Sequence, residues 1–100
     1  MRITITTRHC DIPEDLRVRA RARLERLGAL ASRAHHLQLI FGAEHGQPTV
    51  ELRLHTSRGR VHFATADAAD HRTALDRVVA KVRRQLDEAP VRRAPARGAR

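Results

Sequence analysis

Leu75, Val78, Val79, Val82 and Leu86 recur at helical spacing, and no other feature constrains the fold of this sequence as much. At about 100° per residue they form one apolar stripe, too broad to leave in water and wide enough to cover a sheet. The stripe predicts a helix over about 69–88, and such a helix requires a sheet to lie on.

Segments of period two supply that sheet. Ile3, Ile5 and Thr7 alternate with Arg2, Thr4, Thr6 and Arg8, the pattern of a half-buried strand. Leu37, Leu39 and Phe41 share one side of a second strand, Val50, Leu52 and Leu54 one side of a third, and Val61, Phe63 and Thr65 one side of a fourth. Gly42, Gly46 and Pro48, then Ser57, Arg58 and Gly59, punctuate the joins, so these last three strands should form an antiparallel meander.

After the first strand, Asp11 offers a helix cap, Pro13 suits a first turn, and Glu14 and Asp15 suit the positive end of the helix dipole. Leu16, Ala20, Leu24 and Leu27 continue on one face, and Gly28 offers a left-handed end, giving a helix over about 13–27. The order is β-α-β-β-β-α. A sheet with one apolar face takes both helices on that face, so the expected class is α+β, a two-layer sandwich with a four-stranded sheet.

A chain of 100 residues fits one core, here residues 1–89. From Pro90 the sequence carries four arginines and few apolar groups, which predicts a disordered basic tail over 90–100. Phe41 and Phe63 are the only aromatic residues, so the core must be aliphatic and base-stacking platforms are not expected. Cys10 is the only cysteine, which leaves no internal disulfide or cysteine-based zinc site. Charges at Arg2, Arg8 and Asp11 interrupt any early apolar run, so the expectation is a cytoplasmic protein with no membrane segment.

The formal charge of +9 comes from 20 basic residues, all arginine except Lys81, against 11 acidic ones. Without the tail arginines the body keeps 16 basic and 11 acidic residues, or +5. In the second helix Arg77, Lys81 and Arg84 stand at i, i+4 and i+7, which predicts an outward basic ridge opposite the stripe. In the first, Arg17 and Arg21 flank one edge of the stripe and Arg19, Arg23 and Arg26 the other. Like charges at these spacings repel by a few tenths of a kcal/mol each, so they gain nothing for folding. A polyanionic partner explains them, with a solvated arginine face as the alternative. Asp76 has the spacing to pair with Arg72, and Asp87 with Arg83.

Catalytic patterns are missing. His9, His35, His36, His45, His55, His62 and His71 have no metal-ligand spacing, and His55 and His62 could face each other across the third and fourth strands. Cys10 lacks a base positioned by sequence, and no phosphate loop, nucleophile elbow or carboxylate pair occurs. We therefore expect no enzyme, no cofactor, no metal and no small-molecule substrate.

Several phrases together resemble the ribosome hibernation-promoting factor and ribosome-associated inhibitor family, in its short form. Ile5-Thr6-Thr7-Arg8-His9, Asp11-Ile12, Leu16-Arg17 and Arg23-Leu24-Glu25-Arg26-Leu27 are similar to its first strand and helix. Ala74-Leu75-Asp76, Val79, Lys81 and Arg84-Gln85-Leu86 are similar to its second helix. The resemblance implies a double-stranded-RNA-binding-domain-like fold. It also implies a monomeric translation inhibitor that binds small-subunit ribosomal RNA in the channel for messenger and transfer RNA under stress.

Carried over, the RNA-binding positions are Arg8, Arg23, Arg26, Lys81 and Arg84, to which geometry adds Arg77. Arg17, Arg21, Arg92 and Arg93 are auxiliary candidates. The sequence departs from the family at Asp70-His71-Arg72, where an Asp-Met-Tyr type phrase is usual, and at Asp87 and Glu88, where lysine is. The altered segment at Asp70 to Arg72 motivates an alternative role as a protein-protein interaction module, which would pair its open strand edges or polar sheet face with another protein.

Overall fold

The computed structural model describes the backbone of residues 1–98 and the side chains of residues 1–88; the last helix runs on in the backbone through Pro90 to Gly98, where the sequence suggests a disordered tail, and the side chains of Arg92 and Arg93 lie outside the described residues. The elements follow in the order β1 (Arg2–Thr7), α1 (Glu14–Leu30), β2 (Ala34–Glu44), β3 (Gln47–Thr56), β4 (Val61–Asp67) and α2 (His71–Gly98). They form the β-α-β-β-β-α sandwich that the periodicity predicts.

The sheet order is β1-β2-β3-β4. β1 pairs in parallel with β2, a connection that needs a crossover and takes α1 for it, while β2, β3 and β4 form the expected antiparallel meander. β4 therefore runs in the same direction as β1. Each helix follows a strand of that direction, so α1 and α2 return across the sheet in the same sense, side by side.

One continuous core lies between the layers. Leu16, Ala20, Leu24 and Leu27 of α1 and Leu75, Val78, Val79 and Val82 of α2 are buried against Leu37, Leu39, Phe41, Val50, Leu52 and Leu54 of the sheet. Each of the leucine, valine and phenylalanine side chains among them contributes about 1.5–3 kcal/mol on full burial.

β4 departs from expectation. Its buried residues are His62, Ala64 and Ala66, whereas Val61, Phe63 and Thr65 face outward. The short β3–β4 hairpin sets this register: Thr56 N–H donates to the Arg60 carbonyl at 3.0 Å and Val61 pairs with outward-facing His55. Ala64 and Ala66, beneath α2, let the helix approach the strand closely. His55 consequently does not face His62. It stacks on His36 across β2 and β3, ring centroids 5.6 Å apart, and Leu54 is the partner of His62.

Local endings also differ. Pro13 holds the cap position of α1 and makes no side-chain cap bond, so Asp11 does not cap it. Gly28 lies inside α1 and is buried, and Arg33 takes the left-handed conformation beyond the helix end, φ 69°. A Cβ on Gly28 would meet the Met1 side chain, so its small size admits a close approach rather than ending the helix. In the β2–β3 hairpin, Gly42 and Pro48 lie within the strands, and the reversal is made by His45 and Gly46, both at positive φ, a two-residue turn that matches the sheet twist.

Candidate nucleic-acid interface

The helix layer carries most of the candidate cations, but the structure sorts them into three environments. Arg77 and Lys81 are not opposite the apolar stripe. They lie along its flank over β4, an edge strand, where Arg77 Nη1 donates to the Asp67 carbonyl at 2.8 Å and Lys81 Nζ to the Thr65 carbonyl at 2.7 Å. Gln85 Nε2 continues the series to the Phe63 carbonyl at 2.8 Å. Steps of four along the helix thus match steps of two along the strand, and α2 closes an edge that would otherwise present free carbonyls. Both cations remain exposed to solvent.

Arg23 belongs to the second environment. Its Nη1 bonds Asp76 Oδ1 at 2.7 Å and Arg19 Nη2 reaches the same oxygen at 3.3 Å, so one carboxylate of α2 clasps two guanidiniums of α1. Asp76 pairs across the helices, not with Arg72. Sequence spacing within one helix could not reveal this, because the partners come together only when the helices lie side by side.

The third environment is open. Arg21, Arg26 and Arg84 are exposed and make no ion pair with another described residue. Arg17 lies 4.0 Å from Glu14, one turn away, a spacing worth little at an exposed site. Arg8 follows β1, its N–H bonded to the Phe41 carbonyl at 2.8 Å. With Lys81 it lines a shallow concavity of about 530 Å³ over the outer ends of β2, β3 and β4, which also holds Glu51 and Asp67. Arg8 and Lys81 therefore flank one hollow, and Arg26 and Arg84 stand on the helix layer.

The departure at Asp70-His71-Arg72 has a structural role. Asp70 Oδ1 accepts the Thr73 N–H at 2.7 Å, capping α2, and that bond holds the carboxyl below its usual range. His71 Nε2–H donates to the Gly42 carbonyl at 2.7 Å, and its ring sits edge-on to Phe41, 5.5 Å between centroids. An imidazole thus ties the start of α2 to β2.

Among the described residues no cluster of histidine, cysteine and carboxylate could hold a metal ion. No helix among them is long and apolar enough to cross a membrane.

The fold and its cation-rich helix layer define a small α+β sandwich protein with two parallel helices on one face of a mixed four-stranded sheet. Residues 3–93 match the model of the family described as Sigma 54 modulation protein / S30EA ribosomal protein, and the chain belongs to that family. Two solved structures share the fold. One, described as a ribosomal subunit interface protein from Coxiella burnetii, superposes with a TM-score of 0.78 at 21% identity, over 91% of this chain and 99% of that one. The other, the N-terminal domain of protein Y from Thermus thermophilus, gives 0.74 at 19% identity, over 88% of this chain and 98% of that one. No curated protein matches the sequence.

Proposed function

We propose that this protein is a ribosome-associated translation inhibitor, a hibernation factor that binds small-subunit ribosomal RNA where messenger and transfer RNA would sit. It acts by occupancy, without chemistry, in the cytoplasm under stress. The observation that carries this reading is the exposed cationic surface of a helix layer in a chain of the S30EA ribosomal protein family: Arg26 and Arg84 have no carboxylate to neutralise them among the described residues. The description of the Coxiella burnetii relative as a subunit interface protein agrees with it.

Phosphate contacts from arginine would hold the fold in place, and shape more than sequence would be read. The RNA-facing set is Arg8, Arg26, Arg77, Lys81 and Arg84, with Arg23 partly engaged by Asp76 and Arg17 and Arg21 at the margin. Another chain could not add to the β4 edge without displacing α2 side chains, which weighs against a protein-interaction module at that edge.

Co-sedimentation with small ribosomal subunits tests the reading. With about six phosphates contacted, affinity falls roughly a thousandfold between 50 and 200 mM salt on the duplex-DNA scale, somewhat less for structured RNA. Arg26→Glu with Arg84→Glu, two exposed sites outside the clasp and the edge ladder, should abolish binding at low salt. Retained binding by that variant, or a flat salt dependence, overturns it.

A further inference from the structure

The face of the sheet away from the helices is divided. Its outward residues fall into cross-strand rows, of which Arg2–His36–His55–Val61 and Thr4–Gln38–Arg53–Phe63 contain no carboxylate, while Glu51 and Asp67 stand in the next two. The acid-free half carries the rings. Phe63 and Val61 are 47% and 46% exposed, side by side on β4. Arg53 covers one side of Phe63, its guanidinium carbon 5.7 Å from the ring centroid, and is shared with Glu51 at 2.8 Å.

The two imidazoles are held in place. Thr4 Oγ1 lies 3.0 Å from His36 Nε2, and His55 Nε2–H donates to Gln38 Oε1 at 2.8 Å, which fixes both ring planes in their stack. Phe63 lies diagonally across from His55, a separation of about 7–8 Å that suits planar groups bound next to each other. Cations ring this end of the sheet. The β3–β4 hairpin carries Arg58 and Arg60, and its Ser57 N–H bonds the Arg33 carbonyl at 2.9 Å.

We propose that this half of the open face is a second nucleic-acid site, which takes a short run of single-stranded RNA with bases stacked on Phe63 and on the His36–His55 pair, and phosphates on Arg2 and the hairpin arginines. Bases stack on any exposed ring whatever their sequence, and a four-stranded sheet with outward rings is a platform suited to unpaired bases. Charge points the same way: Arg2, Arg58 and Arg60 make no ion pair with another described residue, so a phosphate backbone laid along this end of the sheet gains their full attraction. The site lies on the opposite side of the sheet from the helices, so both faces can be occupied at once.

The full-length chain titrated into a fluorescently labelled adenylate decamer tests this by anisotropy. Phe63→Ala and Phe63→Leu should each weaken binding on the order of tenfold, since leucine keeps the apolar group and loses the ring, and Phe63→Trp should preserve it. Amide NMR shifts on adding the decamer should concentrate on β2, β3 and β4. The Arg26→Glu, Arg84→Glu variant should retain the dependence on Phe63, and Phe63→Ala should still travel with small subunits, so this site and the helix surface fail or stand separately. Equal affinity of the alanine, leucine and wild-type proteins overturns the proposal, as do shifts confined to the helices or equal competition by a decaglutamate peptide.

Discussion

Lys81 reaches across from α2 to the Thr65 carbonyl at 2.7 Å, so the lysine that family resemblance marks for RNA also closes the edge of the sheet. Its two roles separate by substitution. Lys81→Met keeps the stem and loses the donor, at a cost of about 0.5–1.5 kcal/mol at most, because water can solvate the freed carbonyl. Replacing Arg77, Lys81 and Gln85 together by methionine exposes alternate carbonyls along β4, and sedimentation velocity should then show association that rises with concentration. A triple variant that sediments and melts like wild type would show the ladder to be incidental.

Asp76 offers a prediction of opposite signs. Asp76→Ala removes the carboxylate that joins α1 to α2 and leaves Arg19 and Arg23 repelling each other. At the observed partial exposure this should cost about 1 kcal/mol in urea unfolding. The same change frees two guanidiniums and raises the net charge by one, so affinity for duplex RNA at low salt should rise several-fold. Stability and affinity falling together would mean that the clasp positions the RNA-binding surface.

What the sequence made legible follows from how local its signals are. The α2 stripe and the alternation around Leu37, Val50 and Leu52 give element order, layers and most of the core, because burial on one face imposes a period on neighbours in the chain. Apolar alternation puts Phe63 on the wrong face, since Val-His-Phe-Ala-Thr-Ala alternates equally well with its large groups inside or its small ones inside, and only the hairpin register and the room beneath α2 decide. Arg19 reads as one more exposed cation because its partner lies 57 residues away. Gln85 stands out in the sequence only within the family-like phrase Arg84-Gln85-Leu86, which is silent on its bond to β4, since no periodicity encodes the distance of that strand from α2.

Gly28 should tolerate alanine. Within a helix, alanine is favoured over glycine by about 1 kcal/mol. The new methyl group would collide only with the far end of the exposed, flexible Met1 side chain, and Leu37 Cδ1 at 3.5 Å is an ordinary contact. Gly28→Ala should therefore raise the thermal midpoint, by up to about 1 kcal/mol of stability. Gly28→Val, whose branches would press on Leu37, should lower it. A loss on alanine substitution would mean that Met1 is fixed in place.

His36 contributes to the response to acid in the neutral range. Burial holds its pKa below 6.5, and Arg2, His55 and His35 lower it further. The folded protein then binds this proton less readily than the unfolded chain. The resulting stability is present above 6.5 and is lost as pH falls from there through the depressed folded value. Asp70 acts in the same direction at lower pH: its carboxyl is held below 3.8 chiefly by the Thr73 N–H, so its contribution is lost only in stronger acid. The His36 ring proton followed by NMR should titrate below 6.5. Arg2→Ala should recover only the smaller part of the shift, because desolvation is the larger cause. The His36→Gln variant should lose less stability than wild type between pH 7 and 5. An unshifted His36 midpoint, or identical pH profiles for the two proteins, would remove His36 from the groups that sense acid in this range.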